Sequence, residues 1–103
     1  MRGARPPDPG AMRHRIEILK PAGGGWEPRA RRWAAMKPLL GRELYAALSA
    51  ESPVRVKFSM RHAPGVAPGD RIVCRGAAYT VVSAQDVDGR GAETVCYCKE
   101  EWK

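Results

Sequence analysis

The chain reads as mostly β: a small β-barrel or sandwich of six to seven short strands with one short helix. Three observations predict this. Apolar and polar side chains alternate with a period of two in several short runs. Turn signals rich in Gly and Pro separate those runs at short intervals. A single segment, Arg42–Ala50, carries apolar residues at the three- and four-residue spacing of a helix.

Residues 1–11 (MRGARPPDPGA) hold no large apolar side chain to offset the entropy of ordering, so a flexible N-terminal arm is expected there. A chain of 103 residues has room for one core, which places a single domain over residues 12–103. His14, Ile16 and Ile18 alternate with Arg15 and Glu17, the pattern of a half-buried strand. Pro21 and Gly23-Gly24-Gly25 are expected to break that strand and reverse the chain. Trp26–Met36 is the return strand, with Trp33 as its heaviest core anchor, and Pro38 and Gly41 bracket a corner.

In the helix, Leu44, Ala47 and Leu48 share one side, and so short a helix must pack on something to persist. Ser52-Pro53 ends it. The clearest strand follows: Val54, Val56, Phe58 and Met60 point one way and Arg55, Lys57, Ser59 and Arg61 the other. Pro64, Gly65, Pro68 and Gly69 mark a long turn. Arg71–Arg75 and Ala78–Ala84 read as two strands joined at Gly76, and Asp88-Gly89 signals a hairpin that Arg90-Gly91 lengthens. Glu93–Lys99 is the last strand, with Cys96 and Cys98 on one face and Val95 and Tyr97 on the other. Phe58, Tyr79 and Tyr97 join Trp33 as expected core aromatics.

The formal net charge of +7 is unevenly placed. Met1–Arg42 holds ten Lys/Arg against Asp8, Glu17 and Glu27, whereas the remaining eight basic and eight acidic residues cancel. Such asymmetry suits contact with a polyanion or an acidic protein surface. No apolar run approaches the length of a membrane helix, and the N-terminus lacks the apolar region of a signal peptide, so a soluble cytoplasmic product is the default. Three cysteines, an odd number, then read as reduced thiols.

Few groups are arranged for chemistry. Cys96-x-Cys98 with Cys74 and a histidine (His14 or His62) has the donors for zinc but not the spacing of a zinc knuckle, and buried free thiols are the better reading. A cysteine–histidine nucleophilic pair lacks an accompanying oxyanion turn. Asp86 and Asp88 read as a solvated turn, and Gly23–Gly25 lack the lysine and helix of a phosphate loop. No enzyme and no cofactor are expected. Trp102, in the charged tail KEEWK, suggests either docking against a neighbour or a fold-back onto its own domain.

The order of motifs resembles the phage head–tail adaptor family, whose members are head-closure or stopper proteins. It is carried by Arg13–Ile18, by Trp33-Ala34-Ala35-Met36-Lys37-Pro38-Leu39-Leu40-Gly41-Arg42-Glu43, by the strand Val54–Arg61, and by Gly69-Asp70-Arg71-Ile72 with Gly76 and Tyr79. Asp88 and Arg90, then Cys98 and Glu100, complete the order over residues 13–101. The short glycine-rich first hairpin and the segment before Met12 depart from it.

The resemblance implies a structural protein of the virion neck, assembled in the host bacterial cytoplasm. It would form a homo-oligomeric ring, sixfold rather than twelvefold, between the portal or adaptor and the tail. There it would close the DNA-filled head and dock a tail-terminator or tail-tube protein, with packaged DNA in its channel and no membrane contact. The turn His62, Ala63, Pro64, Gly65, Val66, Ala67, Pro68 and Gly69 is the candidate channel or DNA-gating loop, because it is rich in Gly and Pro between two firm strands. The loop after the helix is the other candidate for that position. Arg55, Lys57 and Arg61 are the candidate basic interaction face. Two other readings compete: a small SH3-like or OB-like barrel that binds nucleic acid, and another tail component such as a tail-terminator ring subunit.

Overall fold

The computed structural model describes residues 14–63, 65–87 and 92–101. The expected arm (1–11), Arg13, Pro64, the Asp88-Gly89 turn with Arg90 and Gly91, and Trp102 lie outside the described residues. Alternation becomes strand where expected. β1 (His14–Ala22), β2 (Gly25–Pro38), β3 (Val56–Arg61), β4 (Arg71–Cys74), β5 (Ala77–Asp86) and β6 (Glu93–Glu100) are joined by one helix, α1 (Gly41–Ser49), between β2 and β3. All strand pairs are antiparallel, and they close in the order β1-β2-β3-β6-β5-β4. The strands form a closed barrel rather than a sandwich, each paired on both sides around the ring.

Every strand contributes alternate residues to one interior: Ile16 and Ile18, Ala34, Val56, Phe58 and Met60, Ile72 and Cys74, Tyr79 and Val81, Cys96 and Cys98. Phe58 is fully buried and meets Tyr79 edge-on, with ring centroids 5.1 Å apart at 71°. The cysteines serve here as small apolar residues.

Three expectations need correction. Trp33 is 54 % exposed rather than a core anchor. Parity decides this: Ala34 faces inward opposite Met60 and His14, so Trp33 faces out opposite Arg15, whose guanidinium lies 5.3 Å from its ring centre. Tyr97, on the outer parity of β6, is only half-buried. Pro21 does not break the first strand, which runs to Ala22. By Pro21, β1 has passed the end of its pairing with β4 (Ile16–Leu19), so the residue sits in a two-stranded ribbon with β2. The reversal is made by Gly23 and Gly24 at φ +55° and +80°, a backbone that glycine adopts without strain.

The β1–β2 ladder slips between Ile18 and Leu19. Ile18 faces Ala30 and Leu19 faces Pro28, leaving Arg29 as the extra residue of a β-bulge. A bulge also accommodates Pro28, which has no N–H for a ladder. The helix is shorter on support than expected. Leu44 and Ala47 are half-buried, no residue of α1 is buried, and Leu48 is exposed. Glu43 ties it to β3 through Lys57 at 2.9 Å.

Candidate functional site at the loop end of the barrel

In the cyclic strand order, β3 and β4 stand three places apart in either direction. The connection between them must therefore cross one mouth of the barrel. It comprises residues 62–70, and it is fastened rather than loose. The His62 N–H donates to the Ala92 carbonyl, and buried Ala63 donates from its N–H to Thr94 Oγ1 at 3.0 Å. Gly69 N–H bonds the Val81 carbonyl at 2.9 Å, and Val81 N–H returns to the Asp70 carbonyl at 2.8 Å. Val66 packs on the core.

Asp70 holds the far end. Its side chain is almost wholly buried and accepts from Lys20 Nζ at 2.7 Å and from the Ala67 N–H at 2.9 Å. The same ammonium donates to the Gly65 carbonyl. The Lys20–Asp70 pair thus joins β1 to both halves of the crossing loop. This accounts for Asp70 within the Gly-Asp-Arg-Ile run: glycine turns the chain at φ +95°, and the aspartate locks the turn.

Beside it, Arg71 on the outer wall forks onto Glu101 (3.1 and 2.7 Å) and lies 4.2 Å from the Trp26 ring centre. Burial alone would raise the Glu101 pKa. Hydrogen bonds from Arg71 and Thr80, with the Arg71 charge, outweigh it and hold the carboxyl below its ordinary range.

Clefts flank the crossing loop. One of about 330 Å³ lies beside His62, Asp86 and Thr94, with His62 Nδ1 3.9 Å from Asp86. Another, of about 170 Å³, is lined by Lys20, Arg29 and Arg32 over Ile18, Ala30, Ala63 and Val66.

The candidate basic row is not a uniform charged face. Lys57 is paired with Glu43, Arg55 bends back onto the carbonyls of Ser52 and Val54 at 2.7 Å, and Arg61 makes no ion pair among the described residues. Arg55 also borders an open groove of about 1110 Å³ with Pro53, Ala77, Ala78 and Lys99. The exposed large hydrophobics lie elsewhere: Leu40, Tyr45 and Leu48 on or beside α1, and Trp33 and Trp26 on β2.

No group of three or more His, Cys, Asp or Glu that could hold a metal occurs among the described residues. Cys74, Cys96 and Cys98 are free and buried. Burial pushes the Cys96 thiol up to about 12, with the Asp70 charge adding to the effect, and burial beside Cys96 raises Cys98 as well. An unfolded thiol ionises at about 8.5. The stabilisation that folding gains from keeping these thiols neutral is complete below that value. It falls as pH rises beyond it, by about 1.4 kcal/mol per pH unit per thiol. None of the three thiols should react with an aromatic disulfide reagent in the native protein at pH about 8, and all three should react in denaturant. Rapid native-state labelling would contradict the assignment to the core.

The chain matches, over residues 7–101, the family described as phage head completion protein. It belongs to the phage head completion family. Membership supports a structural part in phage head closure and fits a component of a virus particle. No curated protein matches the chain. Among solved structures, protein SF1141 from Shigella flexneri 2a shares the fold at a TM-score of 0.68 and 18 % identity, covering 93 % of this chain and 98 % of that one. Among the described residues no helix is long and apolar enough to cross a membrane.

Three features of this head completion protein escaped the sequence reading. The Lys20–Asp70 lock spans fifty residues of chain. The Arg29 bulge has no signature beyond Pro28. The exposure of Leu40 and Tyr45, just before and on α1, was missed because the helical stripe of Leu44, Ala47 and Leu48 includes neither.

Proposed function

We propose that the protein is a ring-forming stopper of the virion neck, seated between the portal or adaptor and the tail and acting by binding alone. The observation that carries this reading is the set of exposed large apolar side chains at α1: Leu40, just before the helix, and Tyr45 and Leu48 on it are 67 %, 73 % and 52 % exposed. Large apolar side chains grouped on a small domain mark a contact surface. A contact repeated around an axis closes a ring from one pair of complementary patches, and sixfold closure is preferred to twelvefold.

In this reading residues 12–103 form the joining domain, preceded by the N-terminal arm of residues 1–11. The crossing loop His62–Gly69 faces the DNA channel. Arg55, Lys57 and Arg61, with Trp102, contact portal, tail-terminator or tail-tube neighbours. Assembly takes place in the host bacterial cytoplasm.

The test is electron microscopy of the purified chain mixed with portal–adaptor particles, alongside free-DNA binding at several salt concentrations. A ring of added density with weak DNA binding supports the stopper. Tight, steeply salt-dependent DNA binding with no added density would instead favour a nucleic-acid-binding barrel. The variant Tyr45→Ser with Leu48→Ser should unfold within about 1 kcal/mol of the parent, because both side chains are exposed. It should nonetheless fail to add density. Undiminished ring density would remove α1 from the interface.

A further inference from the structure

The cleft of about 170 Å³ beside the crossing loop has a composition that neither the barrel nor the head-closure role requires. Its floor is aliphatic, from Ile18, Ala30, Ala63 and Val66, and its walls are cationic, from Lys20, Arg29 and Arg32. Arg32 faces inward, opposite Ile16 in the ladder. Its Nε is buried and has no hydrogen-bond partner among the described residues. Buried polar groups rarely go unpaired, and a guanidinium left so costs more than a neutral donor.

Arg29 reaches the same cleft because it is the extra residue of the β-bulge, a device that re-aims side chains beside sites. Lys20 is already engaged by Asp70, whereas Arg29 and Arg32 make no ion pair among the described residues. Glu27 stands opposite Lys20 in register and does not line the cleft.

We infer that this cleft is an oxyanion site in which Arg32 and Arg29 receive a carboxylate side chain of a partner protein in the assembly. A planar guanidinium fork matches a carboxylate two bonds at a time. The aliphatic floor fits the methylene stem of an acidic side chain. A duplex offers its phosphates on a broad convex surface that cannot enter a recess of this volume. Only the bearer of the anion rests on the assembly reading; the anion site itself stands on the isolated chain.

The experiment follows amide and arginine Nε–Hε resonances of the full chain by NMR, at constant ionic strength. The probes are glutarate, inorganic phosphate and a short duplex DNA, with chloride as the reference. Glutarate and phosphate should produce saturable shifts at Arg32 Nε, Ala30, Gly65 and Val66. Arg32→Gln should weaken glutarate binding about tenfold, the loss of a charge-assisted pair of hydrogen bonds. Arg29→Gln, on the exposed rim, should weaken it less, and Arg75→Gln at the β4–β5 turn should leave it unchanged. Shifts that follow ionic strength alone, or that survive in both cleft variants, would overturn the site. Duplex DNA shifting these resonances while glutarate does not would overturn the carboxylate assignment. Either result can be read without any ring forming, so it is separable from the fate of the stopper model.

Discussion

Phe58→Ala should lower the unfolding free energy by about 3–5 kcal/mol, the cost of emptying an aromatic site in a well-packed core. That is a large share of the roughly 5–15 kcal/mol available to a domain. Phe58 is the only phenylalanine in the chain, is fully buried, and meets Tyr79 across the interior. Its strand is hydrogen-bonded on both sides, to β2 and β6, in a closed ring. The walls therefore cannot move inward to fill the space as a loosely packed helix could. Much of the void should persist, which puts the cost toward the upper end of the range. Urea unfolding measures it directly. Phe58→Leu, which refills most of the volume, should recover more than half of the loss. A loss below about 1 kcal/mol for the alanine variant would mean that the barrel interior is not organised around this ring.

Legibility followed the burial geometry. In β3 one face is core and the other is not, so Val56, Phe58 and Met60 alternate cleanly with Lys57 and Ser59 and the strand could be read with its facing. In β2 the inward positions hold Ala34, Ala30 and even Arg32, while Trp33 points out. Hydrophobic weight and burial are decoupled there, and the strand could be located but not oriented. The crossing loop was legible as a loop from Gly65, Pro68 and Gly69. Its fastening was not, because the groups that hold it come from β1, β5 and β6. The cationic cleft was illegible for a related reason. The three arginines of β2, Arg29, Arg31 and Arg32, read only as part of the basic excess until a single-residue bulge sorts them onto different sides.

The Lys20–Asp70 lock gives the sharper prediction, because its two partners are unequally buried. The Asp70 side chain is 3 % exposed and that of Lys20 is 25 %. Breaking a buried pair from one side costs about 3–5 kcal/mol, chiefly through the charge left behind. Asp70→Ala leaves an ammonium that can turn toward water, so solvent screening reduces its cost to about 2–3 kcal/mol. Part of that is the Ala67 N–H, which loses its acceptor. Lys20→Met leaves a carboxylate with no route to solvent and should cost more, despite removing the more exposed partner. The double variant Asp70→Asn with Lys20→Met should cost less than the sum of its single changes, since neither charge is then stranded.

Amide exchange at Gly65–Gly69 should accelerate in Asp70→Ala while the β3 amides stay protected, which separates loosening of the crossing loop from loss of the barrel. If that loop faces packaged DNA, particles assembled with Asp70→Ala should retain their rings and lose DNA faster than the parent. Equal costs for the two single charge changes, or a double variant as costly as their sum, would show that the 2.7 Å contact is a surface pairing. The crossing loop would then be held by its backbone bonds to Val81 and Thr94 alone.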